Sequence, residues 1–185
     1  MDQSNHQATS LKETIRNRRA VKKGYTDKEV TEELVRELLI DASWAPTHGM
    51  REPWRFVFVH QDRLPTFAKE VGQTYPDELK ENREAYLNEP NAILVALMQE
   101  PEQQKQKDEN FGAIASLIQN FWLLAWEKNL GVVWKTNPHI YNEDVEKIVG
   151  AKDNERIVGF IHLGYFDEAP IIKERTDIND LFSTY

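Results

Sequence analysis

The pattern of hydrophobic and polar positions divides the chain into strand-like runs separated by helix-like stretches. Runs of β-branched, aromatic and aliphatic residues predict three strands, at residues 54–59, 92–98 and 156–165, and a shorter run at 132–134 predicts a fourth. The run at 92–98 contains no polar residue, so we expect its strand to be buried on both faces. Because strands and helices do not alternate strictly, the pattern predicts an α+β fold with helices covering a mixed or antiparallel sheet.

Helices are predicted between these strands, where apolar residues recur at three-to-four spacing. The predicted stretches are 10–17, 26–42, 64–71, 77–87, 108–129 and 142–148. In the first stretch we expect Leu11 and Ile15 to face inward. Thr26 and Glu29 have the spacing of a capping box, which predicts that the second helix begins there. Gly131 stands where a glycine cap would terminate the long helix.

The long helix is apolar around most of its circumference. A helix with apolar residues on nearly every face needs partners on every face. This favours a central helix shared with a second subunit, at a homodimer interface. The alternative is a central helix wrapped entirely by its own chain.

Length and composition place the chain among ordinary globular domains. The 185 residues fit one domain, with residues 1–9 expected to be disordered and 166–185 to form an extended tail. The 31 acidic and 23 basic residues give a net charge of -8, which disfavours broad nucleic-acid binding. No signal peptide is visible at the N-terminus, and the most apolar stretch, 113–126, is too short and too polar to span a bilayer. We therefore expect a cytoplasmic protein without membrane association.

A basic run stands out in this acidic chain. Arg18, Arg19, Lys22 and Lys23 place four cations within six residues. Like charges repel, so such a cluster is stabilised by an anion, and arginine offers a planar fork of donors that fits phosphate. The alternative is a solvated basic turn.

A second segment points to bound cofactor chemistry. Residues 45–54 carry a proline near each end, with His48, Arg51 and Glu52 between them. The segment connects a predicted helix to a core strand, and ligand-binding residues favour loops held by such rigid elements.

At this point the sequence resembles the FMN-dependent nitroreductase family, and in particular its short NAD(P)H nitroreductase branch. Five segments match in order and spacing between about Leu11 and Gly164: residues 18–22, 44–48, 52–56, 129–136 and 157–164. Each is weak alone, and together they form a specific signal. The resemblance implies a nitroreductase-like α+β fold and an FMN at a homodimer interface.

The resemblance also assigns cofactor roles to the basic run. It implies that Arg18 and Arg19 hold the FMN phosphate and ribityl chain, and that Lys22 lies toward the N1 and O2 edge of the flavin. Ala20 replaces the serine usual in the family, which leaves only its backbone to make a contact.

Other segments supply further cofactor residues by the same resemblance. His48 is implied to contact FMN from the other subunit, the alternative being a loop histidine that caps a backbone group. Trp134, Lys135 and Thr136 match the loop along the isoalloxazine ring; the alternative for Trp134 is a core indole, and Lys135 has the phosphate as a second possible partner. Contacts from Glu52, Lys173 and Arg175 stay open.

The implied function is that of a flavoprotein oxidoreductase. FMN would pass a hydride from NAD(P)H to a small electron acceptor, such as a nitroaromatic or a quinone, in a ping-pong cycle. The flavin carries the chemistry, so no catalytic side chain and no metal site is assigned. The alternatives are other chemistry on the same fold, such as reductive dehalogenation or flavin breakdown, and an FMN-binding module without turnover.

Overall fold

The computed structural model describes residues 10–185 and confirms the α+β class. Six helices are formed: α1 Leu11–Asn17, α2 Glu32–Ala42, α3 Leu64–Gly72, α4 Asp77–Leu87, α5 Gln104–Glu127 and α6 Glu143–Ile148. Four strands are formed: β1 Trp54–Val59, β2 Ala92–Gln99, β3 Leu130–Lys135 and β4 Glu155–Tyr165. Short 3-10 turns occur at His48–Met50, Gln61–Arg63, Pro138–Tyr141 and Ile178–Asp180. The expected disorder of residues 1–9 lies outside the described residues.

The four strands form one antiparallel sheet in the order β1-β2-β4-β3. The central strand β2 pairs Val95 with Val57 of β1 on one side and with Phe160 of β4 on the other. Every residue from Ala92 to Met98 is at most 1% exposed, which confirms the predicted burial on both faces.

Helices cover both faces of the sheet. Helices α2 and α5 pack on one face, over inward residues such as Leu94, Met98 and Leu163. Helices α3, α4 and α6 lie on the other face, over Ile93, Val95 and their neighbours. No helix among residues 10–185 is long and apolar enough to cross a membrane.

Helix α5 packs one side against its own chain. Its fully buried residues are Asn110, Ala113, Ile114, Leu117, Ile118, Phe121 and Ala125. On other sides Trp122, Leu123, Leu124 and Trp126 are only half-buried, and Phe111 is 41% exposed. The chain's own core therefore uses only part of the apolar surface of the helix, and the homodimer stays a prediction.

The predicted start of α2 is wrong. Thr26 donates its backbone N–H to Tyr165 at 2.8 Å, and its carbonyl accepts from the Asn91 side chain at 2.8 Å. These bonds hold Thr26 at the sheet edge, so its backbone cannot open a helix. The helix instead begins after Thr31, whose hydroxyl caps the N–H of Leu34.

Helix α1 begins with a capping box, but the side of the helix that faces inward is not the predicted one. Ser10 and Glu13 form the capping box, with both reciprocal bonds present. The expected inward residues Leu11 and Ile15 are 66% and 50% exposed in the single chain, whereas Thr14 is buried. The inward side of α1 is thus set by Thr14, which bonds to Glu127 of α5.

Gly131 does not terminate α5, contrary to the prediction. Asn129 adopts the left-handed backbone there, with φ of 55°. Gly131 lies in β3, where an added Cβ would fall 2.8 Å from the Val21 Cβ and from the Gly164 carbonyl oxygen. Glycine at this position therefore lets Val21, within the basic run, approach the sheet edge.

Two buried histidines lie on the α3 and α4 side of the sheet. His139 and His162 are 3% and 1% exposed. The Tyr75 hydroxyl lies 2.7 Å from His139 Nδ1. Burial, together with the charge of Arg83, lowers the pKa of His139 to about 4. Burial lowers the pKa of His162 to about 3, with smaller contributions from Lys135 and His139.

We predict that these histidines make the fold sensitive to mild acid. Between the unfolded value near 6.5 and the lowered folded values, the unfolded chain binds more protons, so stability falls as pH falls. The free energy of unfolding should drop by roughly 2 kcal/mol per histidine between pH 7 and pH 5. Urea unfolding at constant ionic strength measures this, and His139→Gln should remove about half of the drop. A free energy of unfolding that is constant over this range would contradict the assignment.

Candidate functional site

The basic run lines the mouth of a large cavity beside the end of α5. The cavity has a volume of about 900 Å³, within the range of small-molecule and cofactor sites. Its walls come from the end of α1, the basic run, Trp122 of α5 and the C-terminal tail at 170–175. It is a site assembled from three segments that are distant in sequence.

Trp122 fixes the position of both arginines. The Arg18 guanidinium lies over the Trp122 ring, 4.3 Å from its centroid, while the indole N–H donates to the Arg19 carbonyl at 3.2 Å. The sequence pattern does not predict this contact with the basic run, because it shows Trp122 only as one apolar residue of the long helix. The available signal was the indole N–H itself, which needs an acceptor when buried.

Both arginines keep donors without acceptors. Arg19 Nη1 donates to the carbonyls of Arg16 and Arg18, at 2.6 and 2.8 Å. The Nε atoms of both arginines and Nη2 of Arg19 are buried and have no hydrogen-bond partner among residues 10–185. A buried donor without a partner costs free energy, and a charged one costs more. The arrangement therefore fits an anionic group that accepts these bonds.

The charges around the cavity also favour an anionic ligand. Burial lowers the pKa of Arg18, and the neighbouring charges of Arg175 and Arg19 lower it further. Within residues 10–185, no carboxylate forms an ion pair with any cation lining the cavity: Arg16, Arg18, Arg19, Lys22, Lys173 and Arg175. The tail cations Lys173 and Arg175, left open by the sequence, thus share one cavity with the basic run.

Ala20 and Lys22 also line this cavity. Ala20 bridges to Val132 of β3, and the Val21 N–H donates to the Val132 carbonyl at 3.2 Å. This attachment to the free edge of β3 fixes the direction of the basic run. Lys22 follows as an exposed cation.

His48 lies elsewhere in the single chain. Its Nε2 is 3.6 Å from Glu109, near the start of α5, whereas Arg18 contacts Trp122 near the end of that helix. Thirteen helical residues separate these contacts, or about 20 Å along the axis. The structure does not bring His48 to the basic cavity within one chain.

The loop that carries His48 is unusual in its backbone. Gly49, Met50 and Glu52 adopt φ angles of 59°, 52° and 46°. These angles lie in the left-handed region, which residues other than glycine rarely adopt. The Thr47 hydroxyl accepts from the Glu52 N–H at 3.1 Å, and this bond helps to hold the turn. Glu52 itself is exposed and does not line the basic cavity.

Trp134, Lys135 and Thr136 diverge at the end of β3. The Trp134 indole donates to the Val158 carbonyl at 3.2 Å and packs near Phe111 on the α5 face. Lys135 points to the opposite face, with Nζ 4.8 Å from the centre of the Tyr86 ring. Thr136 is exposed. The structure thus unites Arg18, Arg19, Ala20 and Lys22, and leaves the side chains of Trp134 and Lys135 outside that cavity.

Known proteins share both the sequence and the fold. The nitroreductase family model matches residues 15–165. A Bacillus subtilis protein named "Putative NAD(P)H nitroreductase YfhC" is 37% identical over 96% of this chain and 95% of its own length.

Solved structures extend the match. The crystal structure of a nitroreductase-like family protein from Bacillus cereus is 37% identical, with a TM-score of 0.87 and coverage of 96% of both chains. The FMN and NADPH-dependent nitroreductase NfnB from Sphigopyxis sp. strain HMH is 16% identical and shares the fold, with a TM-score of 0.77 over 96% of this chain and 99% of its own. The chain therefore belongs to the nitroreductase family, and with it to the oxidoreductases.

Proposed function

We propose that this protein is an FMN-dependent oxidoreductase that uses NAD(P)H to reduce a small acceptor, such as a nitroaromatic or a quinone. One observation carries the proposal: buried guanidinium nitrogens of Arg18 and Arg19 lack partners within the described part of the chain, at a cavity lined by further cations. FMN has a phosphate that would accept these bonds. The names of the relatives support the same activity, since YfhC carries the NAD(P)H nitroreductase name and NfnB is FMN- and NADPH-dependent.

The chain's own residues would bind and orient the cofactor. Arg18 and Arg19 would hold the phosphate, with Lys173 and Arg175 adding charge from the tail. Lys22 would add a positive charge farther along the cavity. When bound, FMN supplies the transfer of hydride from NAD(P)H to the acceptor in a ping-pong cycle, so the protein needs no catalytic side chain of its own.

We predict that the FMN-loaded protein loses its flavin absorbance on anaerobic mixing with NADH or NADPH. Reoxidation by a nitroaromatic or quinone should then restore the absorbance. Stopped-flow spectroscopy measures both half-reactions and identifies the preferred nucleotide. Absorbance that stays unchanged with both nucleotides would favour a binding module. A protein that takes up no FMN would refute the proposal altogether.

We predict that Arg18→Ala and Arg19→Ala weaken FMN binding selectively. Each arginine would contribute charge-assisted bonds worth about 1.5–3 kcal/mol, so affinity should fall by about one to two decades. Riboflavin lacks the phosphate and should lose little affinity. Lys23→Ala is the matched control, because Lys23 belongs to the same basic run but does not line the cavity.

Equilibrium titration by flavin fluorescence compares the two ligands in each variant. Equal losses for FMN and riboflavin would indicate general damage to the fold. Unchanged affinities in both arginine variants would assign the run to a solvated basic turn.

The separation of His48 from the basic cavity supports a homodimer in which each cofactor site uses both chains. Within one chain, α5 separates His48 from Arg18 by most of its length. A partner related by a two-fold axis perpendicular to α5 would carry its own α5 in the opposite direction, which would bring its His48 loop toward the cavity. The exposed side chains of Ile40, Trp44 and Met50, between 66% and 87% exposed, offer apolar surface for such a contact.

We predict that mixed dimers of Arg19→Ala and His48→Ala recover sites with wild-type FMN affinity, which neither variant has alone. In a mixed dimer with shared sites, one site carries both lesions and the other carries none. Random reassortment of equal amounts should therefore restore tight binding to about one quarter of the sites. If both residues served a site in the same chain, every site would keep one lesion and mixing would restore nothing.

A further inference from the structure

A second group of unpaired cations lies on the other face of the sheet from α5. Arg83 of α4 and Lys135 of β3 meet at the ring of Tyr86, with Arg83 Cζ 6.0 Å and Lys135 Nζ 4.8 Å from its centre. Within residues 10–185, neither cation forms an ion pair within 4.0 Å or a hydrogen bond. The Arg83 Nε is buried and has no hydrogen-bond partner among these described residues.

Two histidine rings near these cations also carry buried nitrogens that lack a hydrogen-bond partner among residues 10–185. The Tyr86 ring lies 5.2 Å from the His162 ring, and Arg83 lies 5.5 Å from the centre of Tyr75, which bonds to His139. The Nε2 atoms of His139 and His162 are both buried, and neither has a hydrogen-bond partner in the part of the chain that the structure describes.

This cluster is separate from the basic cavity. The cavity is lined by α1, the basic run, Trp122 and the tail, and it includes none of Arg83, Tyr86 and Lys135. Alternation along β3 directs Lys135 to the face opposite Trp134 and α5. The basic cavity accounts for the proposed phosphate contacts without the side chains of Arg83 and Lys135, which lie outside it.

We propose that Arg83 and Lys135 form a second anion-binding site over Tyr86, which takes a carboxylate or phosphate group of a small molecule. The guanidinium offers a planar fork to two oxygens, and the ammonium adds a point charge. The Tyr86 hydroxyl and the Asn137 amide, bonded to each other at 3.3 Å, add polar groups beside the cations. Glu89 is the acidic group whose charge affects Lys135, and it lies beyond ion-pair distance.

The test is a calorimetric titration with two probes, benzoate and inorganic phosphate. It uses the full chain, with and without FMN, so that the basic cavity is occupied in one series. We expect one probe anion per chain at this site in both series, and for phosphate one further anion in the basic cavity when FMN is absent. Affinity at this site should be about tenfold or more weaker in Arg83→Met and in Lys135→Met. Benzoate binding would identify a carboxylate site, and phosphate binding a phosphate site.

Two controls separate this site from general charge and from the FMN cavity. Lys80→Met removes a cation from the same helix, one that already pairs with Asp77 at 2.6 Å, and should leave the affinity unchanged. Arg18→Ala, titrated without FMN, should weaken only the phosphate that binds in the basic cavity and leave the second site occupied. Arg83→Lys, which keeps the charge without the fork, should give a smaller loss and serves if Arg83→Met does not fold by circular dichroism.

Three outcomes would overturn the inference. In the first, neither probe binds. In the second, Lys80→Met weakens binding as much as Arg83→Met does. In the third, Arg18→Ala abolishes binding while Arg83→Met retains it, which would locate the probe in the basic cavity. A protein that takes up no FMN would refute the proposed oxidoreductase function and leave this titration interpretable in the FMN-free series.

Discussion

The sheet is apolar on both faces, so helices must cover both of them, and this constraint fixes the geometry of the candidate site. Helix α5 covers one face of the sheet with Ile114, Leu117 and Phe121. Because those residues lie in the core, the two ends of the helix occupy defined positions relative to the sheet. One end holds Trp122 against the basic run, and the other holds Glu109 against the His48 loop. The core thus sets the distance between the two candidate cofactor segments.

The charge distribution explains why the basic run is informative in an acidic protein. With a net charge of -8, carboxylates are abundant enough to pair with every cation. Arg36, Arg55 and Lys147 do form such pairs, as is ordinary for exposed or half-buried cations. Arg18 and Arg19 instead lie against an indole ring and backbone carbonyls, and no carboxylate of residues 10–185 pairs with them. The fold keeps these cations available, at a cost in self-repulsion that an anionic ligand would offset.

The sequence predicted the elements well, because burial leaves a strong pattern. The run from Ala92 to Met98 had to be a buried strand, and the strand and helix positions followed from similar runs. What failed were the boundaries that depend on tertiary contacts. Thr26 carries a capping signal, but its backbone bonds to Tyr165 and Asn91, which are distant in sequence. Gly131 looked like a helix cap, but its role is the close approach of Val21.

Only part of the candidate site could be predicted from the sequence, because the rest depends on contacts between distant segments. The basic run is contiguous, so its charge was visible directly. The contribution of Trp122 was not visible, since it arises from the packing of α5 against residues a hundred positions earlier. The direction of Lys135 follows from the alternation of side chains along β3, but which face carries the cofactor depends on how the basic run attaches to the sheet edge. Local patterns predict local structure, and the pairing of distant segments needs the fold.

The His48 loop shows how the fold holds a strained segment in place. Left-handed backbone at Met50 and Glu52 costs of order 1–3 kcal/mol at each residue and persists only where contacts determine it. Those contacts are present: Arg51 reaches Glu109 at 2.5 Å and the Asn110 oxygen at 3.2 Å. Asn110 is buried and bonds in turn to the Gln99 carbonyl at the end of β2. The loop is therefore anchored to α5 and the sheet through Arg51, and the position of His48 is set by the core rather than by the flexibility of a surface turn.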